Sequence, residues 1–156
     1  SGDGEQAELL RRFAAWHDPI EPLIRATDPA AILRNDIYDR PPLRAWGRGR
    51  VTLLGDAAHP MTPNLGQGGC QALEDAVVLA RSLKDAASID AGLRAYEAVR
   101  IPRTSFITLA SRRVGVMGQI EHPALISLRD FFVRRFAGRM QARQLSSLIE
   151  YAVPEL

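Results

Sequence analysis

One cysteine, Cys70, is too few for an internal disulfide. That fits a reducing compartment, and a cytoplasmic location is the expectation. Lysine is nearly absent: Lys84 stands alone among many arginines. The arginines are scattered, and the net charge is only +2, which argues against a nucleic-acid partner and for solvated helix faces and ion pairs. No apolar run approaches the roughly 18 residues of a membrane span. The first residues do not read as a signal peptide. An initiator Met is missing, and Ser1-Gly2-Asp3-Gly4 reads as a processing scar or an internal cut. There is no internal repeat and no low-complexity linker. The 156 residues suffice for one domain, and the composition is ordinary for a globular protein.

The central stretch runs from Val51 to Leu83. VTLL is a short apolar run that reads as a buried strand ended by Gly55-Asp56. Pro60, Pro63 and Asn64 keep the next segment irregular. Gly66, Gly68 and Gly69 lead into a helix whose apolar face is Leu73, Ala76, Val77, Ala80 and Leu83, with Glu74, Asp75, Arg81 and Lys84 off it. Unpaired N–H groups at that helix start suit an anion.

Upstream, residues 5–16 have helical spacing. Asp18-Pro19 reads as a cap and first position, and Asp28-Pro29 repeats the signal. Ile32–Arg40 alternates like a strand, Pro41-Pro42 ends it, and residues 46–50 form a turn. Downstream, Asp90 is a candidate cap for a long helix with Leu93, Tyr96, Val99, Phe106, Leu109 and Val114 near one face. Pro102 should kink or break it at Ile101. A third helix spans 123–136, and residues 140–152 read as a last short one. Two strands cannot make a sheet with its own core, so the pattern points to a piece of a larger α/β protein.

Several chemistries fit poorly. Gly66–Gln71 is not a dinucleotide fingerprint: the sixth position is Gln71, and the run lies ten residues past the strand end. His17, His59 and His122 are far apart, without zinc-site spacing. Cys70 follows two glycines near a helix start, where a thiol pKa falls, yet no base is evident and a small packed residue is the simpler reading.

The whole unit fixes many residue types at once: Gly55-Asp56-Ala57-Ala58-His59-Pro60, Pro63, Gly66-Gln67-Gly68-Gly69-Cys70, then Glu74-Asp75-Ala76. It resembles the second FAD fingerprint, the GD motif, of single-component flavoprotein monooxygenases related to para-hydroxybenzoate hydroxylase. NLGQGGCQALEDAVVLA is most similar to the branch with zeaxanthin epoxidase, salicylate-type hydroxylases and FAD-dependent urate hydroxylase. DRPPLRAW and LRAYEAVRIPRT extend the likeness over most of the chain.

The resemblance implies cofactor contacts. Asp56 would hold the ribityl chain of FAD. Gly66, Gln67, Gly68, Gly69 and Cys70 would face the pyrimidine edge of the flavin, with Pro63 beside the ring. His59 would tie the loop. It also implies a reaction: one oxygen atom of O2 enters an aromatic or olefinic small molecule, with NAD(P)H as reductant, through a flavin C4a-hydroperoxide. No acid, base or nucleophile here is required for it, so no catalytic residue is assigned.

The family's N-terminal G-x-G-x-x-G and its D-G motif are not in the sequence. The expected fold is therefore an α/β fragment, mostly helical with few strands, from a glutathione-reductase-like FAD/NAD(P)-binding domain lacking its N-terminal βαβ unit. Residues 1–44 would end the substrate-binding region, and 45–156 would be the C-terminal part of the FAD-binding domain. Such a chain would need its N-terminal half as a partner and would be inactive alone. A flavin reductase of the same superfamily is the other reading. An exposed edge at Val51–Leu54 would favour self-association.

Overall fold

The computed structural model describes residues 4–84, 86–135 and 151. They are mostly helical: α1 (Glu5–Phe13), α2 (Ile20–Ala26), α3 (Gly68–Lys84) and α4 (Ile89–Gly118), followed by α5 over residues 123–135. The predicted helix at 140–152 lies outside the described residues. Short 3-10 turns occupy Pro29–Ala31, Gly55–Ala57 and Pro63–Leu65.

The chain divides into two compact units, Ser1–Ile37 and Tyr38–Leu156. In the first, Gln6 Nε2 donates to the carbonyls of Ile24 and Thr27, joining α1 to α2. Arg12 and Arg25 pair with Glu8 and Glu21 one turn earlier on their own helices. Asp28 caps the turn at Pro29, as predicted, by accepting from the Ala30 N–H at 2.9 Å. Asp18 does not cap α2: its N-cap position is Pro19, with no side-chain cap bond. No described residue of this unit is buried.

Neither predicted strand forms a ladder. Residues 32–43 are irregular, and Val51–Leu54 is extended with no partner strand among the described residues. The pairing that exists is one antiparallel bridge, Arg48 with Val51, across the predicted turn. A strand persists only where a neighbour takes its N–H and C=O groups. Val51 is accordingly exposed.

The second unit is organised by α3 against α4. The predicted α3 face is the wrong one: Leu73 is 72% exposed and Val77 44%, while Gln71, Asp75, Val78 and Ser82 are buried. Leu93 and Tyr96 of α4 are buried as expected, but Phe106, Leu109 and Val114 are exposed. Arg100, Thr104, Thr108 and Ser111 occupy the buried face instead. Buried polar and charged side chains outnumber buried apolar ones among the described residues. The small apolar core is Trp46, Ala58, Val78 and Tyr96, flanked by Leu43, Leu53, Leu79, Val99 and Ile101.

Ser88, not Asp90, caps α4, its Oγ accepting from the Ala91 N–H. Pro102 does not break this helix, which continues to Gly118. Pro102 has no N–H to give the Ala98 carbonyl. Just beyond it, Thr104 Oγ1 donates to the Arg100 carbonyl at 2.9 Å. The α5 side chains Leu125, Leu128, Phe131 and Phe132 are exposed.

Candidate functional site

Two short turns and a helix start make the site. The first turn, Gly55–Ala57, follows the extended residues 51–54. Gly55 has φ +60°, a left-handed conformation that glycine adopts without strain. A Cβ there would also sit 3.4 Å from the Ala72 Cβ of α3. Arg40 Nη2 donates to the carbonyls of Ala57 (2.7 Å) and Ala58 (2.6 Å). Asp56 is exposed between these fixed points.

The second turn, Pro63–Leu65, ends at Gly66 in the left-handed region, φ +63°. Its loop is strapped to α4: Ser111 Oγ donates to the Thr62 carbonyl at 2.6 Å, and Asn64 Nδ2 to the Ser111 carbonyl at 3.1 Å. Helix α3 then starts at Gly68, and its first intrahelical donor is the Gln71 N–H, to the Gln67 carbonyl. The N–H groups of Gly68, Gly69 and Cys70 therefore have no partner within the helix.

The structure brings Asp56 to this helix start. A Cβ on Gly68 would lie 3.9 Å from Asp56 Oδ1 and 4.0 Å from Met61 Cγ. Beside Gly66 and Gly69 the space is open. Gly69 and Cys70 are exposed, and Gln67 and Gly68 half-buried. Pro63 begins the turn from which Asn64 reaches the Ser111 carbonyl of α4. An exposed carboxylate and helix-start amides without a partner in the helix thus lie side by side, with open space at Gly66 and Gly69.

Beneath that face lies a cluster in which sequence reasoning singled out His59, as a tie for the loop, and missed the other members. Asp75, fully buried, accepts from the Gly55 N–H (2.9 Å) and His59 Nε2 (2.6 Å) through Oδ2, and from Arg100 Nε (2.7 Å) through Oδ1. Since the carboxylate only accepts, Nε2 carries the His59 proton. Arg100, also fully buried, donates further to Glu74, to the Gln71 carbonyl and to Gln71 Oε1. Arg103 forks onto both Glu74 oxygens at 2.7 and 2.8 Å. Burial pushes the Asp75 carboxyl up, but the bonds from His59, Arg100 and Gly55 outweigh it and hold the group below the usual carboxylate range. In Glu74 the same burial is overcome by Arg103 and Arg100. Burial, with Asp75 nearby, drives the Tyr96 phenol well above its ordinary value.

A signal for this cluster was present. Glu74-Asp75 on one helix faces Arg100 and Arg103, one turn apart on the next. Amphipathic counting assigns such residues to solvent. Among the described residues no group of three or more His, Cys, Asp or Glu side chains could hold a metal ion. No helix among them is long and apolar enough to cross a membrane.

Residues 39–110 match the FAD binding domain family. The chain is 50% identical over 144 residues to the aurachin C monooxygenase/isomerase of Stigmatella aurantiaca, covering 92% of this chain and 38% of that protein. It is 48% identical over 133 residues to the chloroplastic zeaxanthin epoxidase of Oryza sativa subsp. japonica, covering 79% of this chain and 20% of that protein. It superposes on the crystal structure of Klebsiella pneumoniae HpxO complexed with FAD and uric acid with a TM-score of 0.84 at 35% identity. That match covers 97% of this chain and 39% of the other. The chain thus spans less than half the length of these relatives. By motif, family match and fold, the chain resembles one part of the FAD-dependent monooxygenases related to zeaxanthin epoxidase and urate hydroxylase.

Proposed function

We propose that this chain supplies the flavin-ring side of an FAD site in a monooxygenase acting on an aromatic or olefinic small molecule. The observation that carries the reading is the approach of the exposed Asp56 carboxylate to the bare amides of Gly68–Cys70. These residues fit FAD: Asp56 would hold the ribityl hydroxyls, and Gly66, Gln67, Gly68, Gly69 and Cys70 would line the ring edge, with Pro63 beside it. Bound FAD would supply the redox and oxygen-transfer chemistry, with NAD(P)H and O2 as co-substrates.

What the chain itself does is electrostatic and steric. The α3 N-terminus stabilises negative charge placed before it by about 0.3–2 kcal/mol. The open space beside Gly66 and Gly69 admits a flat group against the backbone. In this reading residues 1–44 end the substrate-binding region, residues 45–156 belong to the FAD-binding domain, and the chain needs a dinucleotide-binding partner segment to retain FAD.

The test is a chimaera in which this chain replaces the overlaid stretch of the Klebsiella pneumoniae protein. It should purify with FAD and the visible spectrum of a bound flavin, and Asp56→Ala should lose the cofactor. A chimaera with native circular dichroism that holds no FAD, or one indifferent to Asp56→Ala, overturns the reading. So does stoichiometric FAD binding by the 156-residue chain alone, for the part that requires a partner segment.

A further inference from the structure

We infer that Asp75, which the FAD fit itself does not require to touch cofactor, is the positioning residue of this site. The inference rests on the flavin reading above. One oxygen, Oδ2, accepts from both ends of the Gly55–His59 turn: the Gly55 N–H at 2.9 Å and the His59 Nε2–H at 2.6 Å. The turn's own backbone closes the same ring, because the Gly55 carbonyl accepts from the N–H groups of Ala58 and His59. Asp56 lies between two ends that are pinned to a single atom.

That atom belongs to α3, two turns beyond Gly68. The helix that presents the bare amides therefore also holds the turn that presents the carboxylate, which fixes their separation. Arg100 locks the other oxygen of Asp75 and, through Nη2, the first-turn residue Gln71. Asp75, His59, Arg100 and Gly55 are all buried, so the alternative hydrogen-bond partner, water, is excluded from the joint. A site held this way keeps its geometry before cofactor arrives.

Asp75→Asn keeps the volume but gives one arm two donors where every neighbour is itself a donor or its carrier. The full 156-residue chain, its Asp75→Asn variant and an Ile107→Ala variant are compared by amide hydrogen exchange. Ile107 is a fully buried α4 residue outside both the polar cluster and the apolar core that includes Ala58, and it controls for plain loss of stability. Asp75→Asn should speed exchange selectively over residues 55–59, and Ile107→Ala should not. In the chimaera, Asp75→Asn should weaken FAD binding by about tenfold or more, the scale of one charge-assisted hydrogen bond. Ile107→Ala, matched for melting temperature, should leave FAD affinity unchanged. A uniform rise in exchange across the chain, or full FAD affinity in Asp75→Asn while Asp56→Ala loses it, overturns the inference and leaves the flavin reading standing. Full affinity in Asp56→Ala overturns the flavin reading itself.

Discussion

Replacing Arg100 with Met tests the joint between α3 and α4. Arg100 is fully buried and donates to Asp75, Glu74 and both oxygens of Gln71. Met fills most of the same space, so the cavity is small and the lost charge dominates. Glu74 keeps its fork from Arg103, whereas Asp75 Oδ1 loses its described partner. Breaking a buried pair on one side costs about 3–5 kcal/mol. At about 2–4 °C per kcal/mol for a chain of this size, the midpoint should fall by roughly 6–20 °C. Thermal and urea unfolding at pH 7 measure it, with Arg100→Lys recovering part of the loss because it keeps charge without the fork.

The pH dependence sharpens the test. In the wild type, Asp75 and Glu74 sit below their ordinary values, so the unfolded chain binds more protons near pH 4. Their contribution is complete above about pH 5 and is lost as pH falls through the folded values. Without Arg100, burial gains weight at Asp75 and its pKa rises. At low pH the variant then carries a neutral acid rather than an uncompensated charge. The gap between wild type and variant should therefore narrow from pH 6 toward pH 3. A loss below about 1 kcal/mol at pH 7, or one that does not change with pH, refutes the reasoning.

Three further outcomes are expected. Gly47→Ala should destabilise the chain by about 1–3 kcal/mol in urea unfolding, since its Cβ would lie 2.0 Å from the Val51 carbonyl oxygen, which cannot yield without opening the Arg48–Val51 bridge. Gly92→Ala should lower the melting midpoint, because its Cβ would lie 2.8 Å from the Ser82 carbonyl oxygen where α4 meets α3. Sedimentation should show concentration-dependent association through exposed Val51, Leu73 and Val77, and Leu73→Gln with Val77→Gln should reduce it; a wild-type chain monomeric at all concentrations counts against this.

The local signals were legible in the sequence itself. Glycines at 55 and 66 marked turns that the backbone completes in left-handed conformations. The Asp28-Pro29 cap, the turn at 46–50 and the start of α3 all follow from short-range chemistry that needs no partner. The fixed residue types of the GD-type motif carried the family resemblance. The side of α3 that is buried was not legible. Hydrophobic periodicity ranks faces by the cost of exposing apolar groups, and it pointed to Leu73 and Val77. The tertiary structure buries Gln71 and Asp75 instead, because Arg100 arrives from another helix to satisfy them. The strand at Val51–Leu54 failed for the same kind of reason: its apolar residues favour a ladder, but a ladder depends on what lies alongside. Sequence determined the two turns and the helix start that make up the candidate site. Only the packing of α4 on α3 decided what holds them in place, since a buried charge is tolerable solely beside partners that sequence distance conceals.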